Sequence, residues 1–357
     1  MVYSERAFLT YQPLPNRDRS TTHYLEDATL FISHELRTPL TSIQGVLGLL
    51  YTGQLGELSE EGQRLLAIAL ENTNRLTRLA TAIEREIVAP VTLLSSTEME
   101  QLQLENDLHH ALLHHQFQLV YQPIMQVEPT RIISFEALLR WQHPIKGEIP
   151  PTLFIPLAEQ MGIIAQLGLW VLDEACQQLA HWQQQFPSLP PLSMSVNLSA
   201  LQLLQPDLLQ QVKRVLQETS IAPNSLKLEI TETALIENQE FAAYILSQLR
   251  SMGVQVYIDD FGTGYSSLAR LQDLPIDALK IDRSFVRLKR WDISETIITL
   301  ATKLGLDVIA EGVETAEDAQ TLTELGCHQM QGYFFSKPMA PASATRLIAH
   351  HASPKLA

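Results

Sequence analysis

Five carboxylates, one amide and one lysine stand at the ends of six short apolar runs. Glu136 follows RIISF, Asn197 follows LSMSV, Glu229 follows LKL, the pair Asp259 and Asp260 follows VQVYI, Lys280 follows DAL, and Glu311 follows DVIA. Carboxylates resist burial and repel one another, so a pocket that gathers them is unstable unless cations fill it. The chemistry these residue types point to is a divalent-metal site.

The runs that carry them must bring them together. Short, nearly continuous apolar stretches read as buried strands of a parallel sheet. Longer segments of helical pattern separate most of them, which is the repeating β-α signature. In a parallel barrel the C-terminal ends of all strands meet on one face, where active sites form. Residues far apart in sequence would then converge in a single acidic pocket.

Composition narrows the function class. The chain has 357 residues and a net charge of -15, which argues against a nucleic-acid polymer as partner. Its two cysteines, Cys176 and Cys327, have no close Cys or His partners in sequence, so neither a disulfide framework nor a structural zinc site is expected. No signal peptide is visible, and no apolar stretch approaches the roughly 18 residues needed to span a bilayer. The expected location is cytoplasmic. The segment DLHHALLHH, residues 107–115, reads as a partly exposed helix rather than a metal site, because it lacks supporting acids.

The chain divides into a flexible lead-in at 1–21, a helical hairpin at 22–88, a linker at 89–97 and a large domain at 98–352. In the hairpin Leu25, Ala28, Ile32, Leu36, Ile43, Leu47 and Leu50 recur mostly at three- and four-residue steps, and Leu65, Ala69, Asn72, Leu76, Leu79, Ile83 and Ile87 do the same. The turn TGQLGELS lies between the two patterns, with Ser59 placed as a helix cap. Two amphipathic helices bury little alone, so the hairpin is expected to pair with a second copy as a four-helix bundle.

Residues 31–40, FISHELRTPL, resemble the phosphoacceptor box of sensor histidine kinases. The resemblance covers the hairpin and places the phosphoacceptor on His34. Glu35 is suited to polarise the imidazole, Thr38 lies one turn on, and Pro39 should kink the helix just after the site. No ATP-binding domain follows the hairpin. It is therefore expected either to serve as a dimerisation stalk or to receive phosphate in trans from a histidine kinase or phosphotransfer protein.

YQPI (121–124), FEALLRW (135–141), VNLS (196–199), EITET (229–233), DDFGTGYSSL (259–268), KID (280–282), AEGVET (310–315) and QGYFFSKP (331–338) occur in order. Together they resemble the EAL-domain cyclic-di-GMP phosphodiesterases over roughly residues 105–350. The resemblance implies a modified (β/α)8 TIM-like barrel whose first strand runs antiparallel to the rest. It also implies that Glu136, Asn197, Glu229 and Asp259 hold a first ion, and that Asp259 bridges to a second positioned by Asp260 and Glu311. Lys280 is implied to contact the attacking water. Glu314 and Gln331 line the family's site, Gln122 and Pro123 match a segment near a guanine base, and Glu232 matches a glutamate that anchors the mobile loop GTGYSS. Arg140 is suited to clamp a phosphate through its planar fork. Hard oxygen donors suit two Mg²⁺ or Mn²⁺ ions roughly 4 Å apart, which can activate water, neutralise phosphate charge and stabilise the leaving alkoxide.

The expected function is hydrolysis of cyclic di-GMP to linear pGpG, with Lys280, Glu311 and Glu136 at the catalytic centre. The hairpin would carry regulation, in a homodimer. Two alternatives stand beside it: a silent cyclic-di-GMP receptor, and a phosphotransfer scaffold whose output is His34. No GG(D/E)EF-type segment is present, so a synthase role is not expected.

Overall fold

Besides the single residue Thr73, the computed structural model describes residues 96–235, 239–263 and 271–352. Thr73 apart, the hairpin of residues 22–88 with His34 lies outside the described residues, as do residues 264–270. The chain divides into two compact units, Met1–Glu100 and Gln101–Ala357. The second contains the barrel.

The chain enters through helix α1 (Ser96–Ala111), and a turn over residues 112–115 comes after it, so the predicted His-rich helix ends at Ala111. Two long strands come next, β1 (Phe117–Val127) and β2 (Thr130–His143), joined as an antiparallel hairpin. A short strand β3 (Gly147–Ile149) folds back on the far end of β2. Helices α2 (Pro151–Gln160) and α3 (Ile164–Gln185) lead to β4 (Ser193–Asn197). Helices α4 (Ala200–Leu203) and α5 (Leu208–Thr219) then lead to β5 (Leu226–Thr231). Next come α6 (Gln239–Ser251), β6 (Gln255–Phe261), β7 (Ala278–Ile281), α7 (Arg283–Arg287) and α8 (Trp291–Leu304). The chain finishes with β8 (Asp307–Ala310), α9 (Ala316–Glu324), β9 (Gln329–Met330) and α10 (Pro341–Ala352).

The strands pair in the order β1-β9-β8-β7-β6-β5-β4-β2-β3, and an added β1–β2 pairing closes all but β3 into a barrel. From β2 round to β9 every neighbouring pair in the ring is parallel. Strand β1 is antiparallel to both its neighbours, β2 and β9. This is the modified (β/α)8 TIM-like barrel expected, reversed strand included. Closure removes the unpaired sheet edges that an open sheet would present.

Period-two alternation sorts each strand's side chains into two environments. In β5, Leu226, Leu228 and Ile230 pack outward into the main core beneath the helices. Lys227 and Glu229 alternate with them and point to the lumen. Deep in the lumen Ile124, Tyr257, Ala278 and Ile309 form a small separate apolar plug. Polar and charged side chains occupy the lumen around it. The barrel is therefore dry outside under its helices and charged inside.

Two packing arrangements hold the reversed strand and the entry helix. Trp182 near the end of α3 is fully buried, with its ring 5.0 Å from Tyr121 of β1 and 4.8 Å from Phe135 of β2. Its Nε1 donates to Thr345 Oγ1 of α10 at 2.9 Å. A single indole thus joins both strands of the hairpin to the first and last helices of the ring. Separately, α1 seats Leu108 and Ala111 in a second core with Phe117, Trp141, Phe154 and Leu167. Asp107 on α1 accepts a 3.0 Å hydrogen bond from His143 Nε2, whose Nδ1 accepts from the backbone of Ile145 and Lys146.

Replacing Trp182 with alanine removes this junction. Trp182→Ala is expected to cost about 3–5 kcal/mol of unfolding free energy, as cavity-forming deletions of buried indoles do, whereas Thr345→Val should cost only about 1 kcal/mol for the lost hydrogen bond. Urea unfolding of both variants checks the difference; equal losses would show that Trp182 does not carry the junction.

Candidate active site

The lumen residues converge on one ammonium group. Lys280 of β7 is fully buried. Its Nζ lies 2.6 Å from Glu229 Oε2, 2.5 Å from Glu311 Oε1, 3.1 Å from Asp259 Oδ1 and 3.7 Å from Glu136 Oε2. Four carboxylates from β2, β5, β6 and the end of β8 therefore surround a single cation. Strand register puts them there: Asn197 pairs with Glu229 across β4 and β5, and Thr231 pairs with Asp259 across β5 and β6.

Amides complete the ring. Asn197 Nδ2 donates to Glu136 Oε1 at 2.7 Å, which leaves its Oδ1 as the atom available to a cation. Gln331 Nε2, just past β9, reaches both Glu136 Oε2 at 2.7 Å and Gln122 Oε1 at 3.1 Å. Gln122 in turn donates to the carbonyl of Ser336 at 3.0 Å. Glu136 is thus held at both oxygens, by an amide from the end of β4 and another from just past β9.

Asp259 and Asp260 are adjacent in sequence, and in a regular strand adjacent side chains point to opposite faces. Here the β6–β7 register breaks between Ile258 and Phe261, and Asp260 adopts a positive φ of 53°. Aspartate tolerates this left-handed conformation better than most residues. The break turns Asp260 back toward the lumen, so that ligand atoms of Asp259, Asp260 and Glu311 all lie within 4.8 Å of one another. Just beyond, Gly262 N donates to Glu232 Oε2 at 3.3 Å, which ties the start of the next loop to the barrel.

The electrostatics reflect this crowding. Burial alone would strip Lys280 of its proton, but Asp259, Glu136, Glu229 and Glu311 outweigh it and hold its pKa well above the usual value. Burial pushes Glu229 up to about 8 against the pull of Lys280. Burial likewise holds Glu311 well above the carboxylate range, again opposed by Lys280. Asp260 is raised to about 6, first by burial and then by Asp259 and Asp282. One ammonium does not neutralise this set. Among the described residues, none offers a hydrogen bond to the buried Glu229 Oε1. An orphaned carboxylate oxygen beside further hard oxygen donors is the donor chemistry of a divalent-cation site, so the residues fit such an ion.

Two cavities open onto the cluster. One, of about 570 Å³, is lined by Gln122, Glu136, Asp259, Asp260, Glu311 and Gln331, with Arg140 and Glu314 on its walls. Arg283, Arg287 and Tyr333 line it as well, and sequence reading did not single them out. The signal available for the first was its place directly after the KID motif. The other cavity, of about 410 Å³, is mostly apolar and reaches Asn197 and Glu229 from the side of α2 and α3. Leu138 and Arg140 line both.

Several expected positions differ in detail. Glu136 lies in the middle of β2 rather than at a strand end, because β2 runs on past the barrel to pair with β3. Arg140 lies four residues along the same strand and so on the same face as Glu136. It pairs with Glu148 of β3 at 3.3 Å. Pro123 is not brought to the site: it alternates with Gln122 along β1 and lines an outer groove with Met125 and Phe335. Glu314 stands at the cavity wall, 3.8 Å from Arg287.

Comparison with known proteins places this geometry. Residues 105–338 match the family model of the EAL domain, and residues 25–84 match the His Kinase A (phospho-acceptor) domain. The chain is 43% identical over 251 residues to the bifunctional diguanylate cyclase/cyclic di-GMP phosphodiesterase MucR of Pseudomonas aeruginosa, covering 69% of this chain and 36% of that protein. It is 42% identical over 250 residues to the cyclic di-GMP phosphodiesterase PdeR of Escherichia coli, covering 69% and 37%. The chain thus spans little more than a third of the length of these curated relatives. Among solved structures, the PaMucR phosphodiesterase in its c-di-GMP complex superposes with a TM-score of 0.65 at 42% identity, covering 68% of this chain and 99% of that one.

The charge balance predicts a pH-dependent response. Carboxyl groups whose folded pKa is raised contribute stability below their unfolded pKa and lose it as pH rises through the folded value. For Glu229 and Asp260 that loss ends near pH 8 and pH 6 respectively. Lys280→Met should therefore destabilise the cation-free protein at pH 8 by about 3–5 kcal/mol, the usual cost of breaking a buried pair. The loss should be smaller at pH 6, where the carboxyls hold protons. Denaturant melts at the two pH values test this; a loss that grows on acidification would contradict the charge assignment.

Proposed function

This chain belongs to the EAL domain family, and on that premise we propose that it hydrolyses cyclic di-GMP to linear pGpG. The observation that carries the reading is the Lys280 ammonium set within 2.5–3.7 Å of Glu136, Glu229, Asp259 and Glu311. MucR and PdeR, to which this chain is similar, are named as cyclic di-GMP phosphodiesterases.

In this reading Glu136, Asn197, Glu229, Asp259, Asp260 and Glu311 are the residues that would hold two divalent ions. Mg²⁺ and Mn²⁺ suit these hard oxygen donors. When bound, such ions neutralise phosphate charge and lower the pKa of water. The chain's own groups do the rest. The product pGpG keeps its phosphate on the 5′ oxygen, so water's oxygen forms the new bond to phosphorus and the bond to the 3′ oxygen breaks. Lys280 donates a hydrogen bond that fixes the attacking water. Glu311, 2.5 Å from Lys280 Nζ, would take the proton that water loses, and the departing 3′ oxygen would take one from solvent. Arg140 projects from β2 into the cavity and clamps the phosphate. Gln122, Gln331 and Glu314 would contact the nucleotide along the cavity wall, and Glu232 anchors the chain at Gly262 beyond β6.

We further assign residues 98–352 to the phosphodiesterase domain, 89–97 to a linker and 22–88 to a dimerising hairpin. The match to the phospho-acceptor domain supports His34 as a site for phosphate delivered in trans. No helix among the described residues is long and apolar enough to cross a membrane, and we place the protein in the cytoplasm.

Chromatography of the reaction with cyclic di-GMP and Mg²⁺ or Mn²⁺ tests the reading. The wild type should yield pGpG, and Glu136→Ala and Lys280→Ala should reduce turnover below detection while remaining folded. Chelation of the divalent ions should do the same, reversibly. Full activity in either variant would refute the site. Saturable nucleotide binding without product would instead mark a receptor.

A further inference from the structure

Asn197 ends β4, and the β4–β5 ladder continues one bond into the turn after it. Leu198 N donates to the carbonyl of Glu229 at 2.8 Å, so the chain leaves β4 pinned to β5. Ser199 then caps α4 in a reciprocal box: Gln202 N donates to Ser199 Oγ at 3.3 Å, and Ser199 N donates to Gln202 Oε1 at 3.1 Å. Helix α4 has only 4 residues, too few to keep its shape without such bonds. The Gln202 side chain is buried, and its carboxamide lies against Gly168 of α3. A Cβ at Gly168 would stand 1.7 Å from Gln202 Nε2 and 2.5 Å from Cδ. Glycine inside a 22-residue helix is ordinarily unfavourable. Here it makes room for the one side chain that closes the box. Gly168, Ser199 and Gln202 line the same 410 Å³ cavity as Asn197 and Glu229.

We infer that Gln202, seated in the space left by Gly168, is a positioning residue that fixes the turn after Asn197 and thereby sets divalent-cation affinity at the active site. The inference rests on the assignment of Asn197 as a ligand under Proposed function. The clash at Gly168→Ala falls on the end of a flexible side chain, so the protein can relieve it cheaply by swinging Gln202 away. That movement would take the acceptor from Ser199 N and free the turn, while the helix itself gains from alanine. Gly168→Ala should then change the melting temperature little, because the helix gain from alanine offsets the lost capping bonds, and yet weaken cation binding.

Calorimetric titration of the full chain with Mn²⁺, beside melting temperatures and Mn²⁺-dependent turnover, tests this in Gly168→Ala, Gln202→Ala, the double variant and Asn197→Ala. Gly168→Ala and Gln202→Ala should each weaken Mn²⁺ binding about tenfold or more, the usual effect of removing a support behind a metal ligand. Turnover at saturating Mn²⁺ should largely return. The double variant should bind no worse than Gln202→Ala, since without the carboxamide the added methyl has nothing to displace. Unchanged Mn²⁺ affinity in Gln202→Ala, additive losses in the double variant, or losses that merely track a falling melting temperature would each overturn the inference. If Asn197→Ala weakens binding while Gln202→Ala does not, only this inference fails; if Asn197→Ala leaves binding unchanged, the ligand assignment itself fails.

Discussion

The structure is organised around the problem of keeping several carboxylates out of water and close together. Lys280 answers part of it, with contacts of 2.5–3.7 Å to four acids. A fully buried ammonium would ordinarily lose its proton, and acids this deep would ordinarily gain theirs. Each keeps the other's charge in place, but the count is unequal. The excess appears as raised pKa values at Glu229, Glu311 and Asp260 and as the unpartnered Glu229 Oε1. An apolar core could not tolerate that excess. Further cations would relieve it, and the proposed phosphodiesterase activity would need the same cations to bring an anionic substrate to an acidic floor.

The barrel supplies the rigidity that this arrangement demands. Each charged group sits on a strand or immediately after one, and its neighbours on the outer face are locked beneath helices. Amides span the gaps between strands: Asn197 and Gln331 grip the two oxygens of Glu136 from opposite sides. The reversed β1 contributes Gln122 to this chain of amides and is itself held by Trp182. Helix α1 packs on the far end of β2 through Asp107 and His143, while Arg140 and Glu136 lie nearer the site on the same strand. The strand that holds a proposed ligand is therefore also the strand that receives the incoming chain.

Much of this was legible in the sequence. The alternation of apolar runs with helical patterns foretold a barrel, because burial on both faces makes parallel strands continuous apolar stretches. The ordered motifs foretold the family and nearly all of the polar cluster, because strand ends of one barrel face one way whatever their separation in sequence. The hairpin pattern of residues 25–84 also has its counterpart in the family comparison.

What residue order could not show was which way individual side chains turn. Pro123 matched a nucleotide-binding segment, yet strand alternation carries it to the outer face while Gln122 points inward. Adjacent Asp259 and Asp260 suggested a pair of ligands, but two neighbours on one strand share a face only through a register break and a left-handed residue, and both depend on how β7 pairs with β6. Glu136 reads as a strand end and is mid-strand, since only the pairing with β3 shows that β2 continues. Gly168 carries no signal of its own until Gln202, from a different helix, is found against it. The sequence by itself determined which groups would meet and what charge they would bring, since both stem from residue type and period. Register, bulges and contacts between distant helices decided their orientation, because these are properties of paired strands and packed surfaces rather than of any single segment.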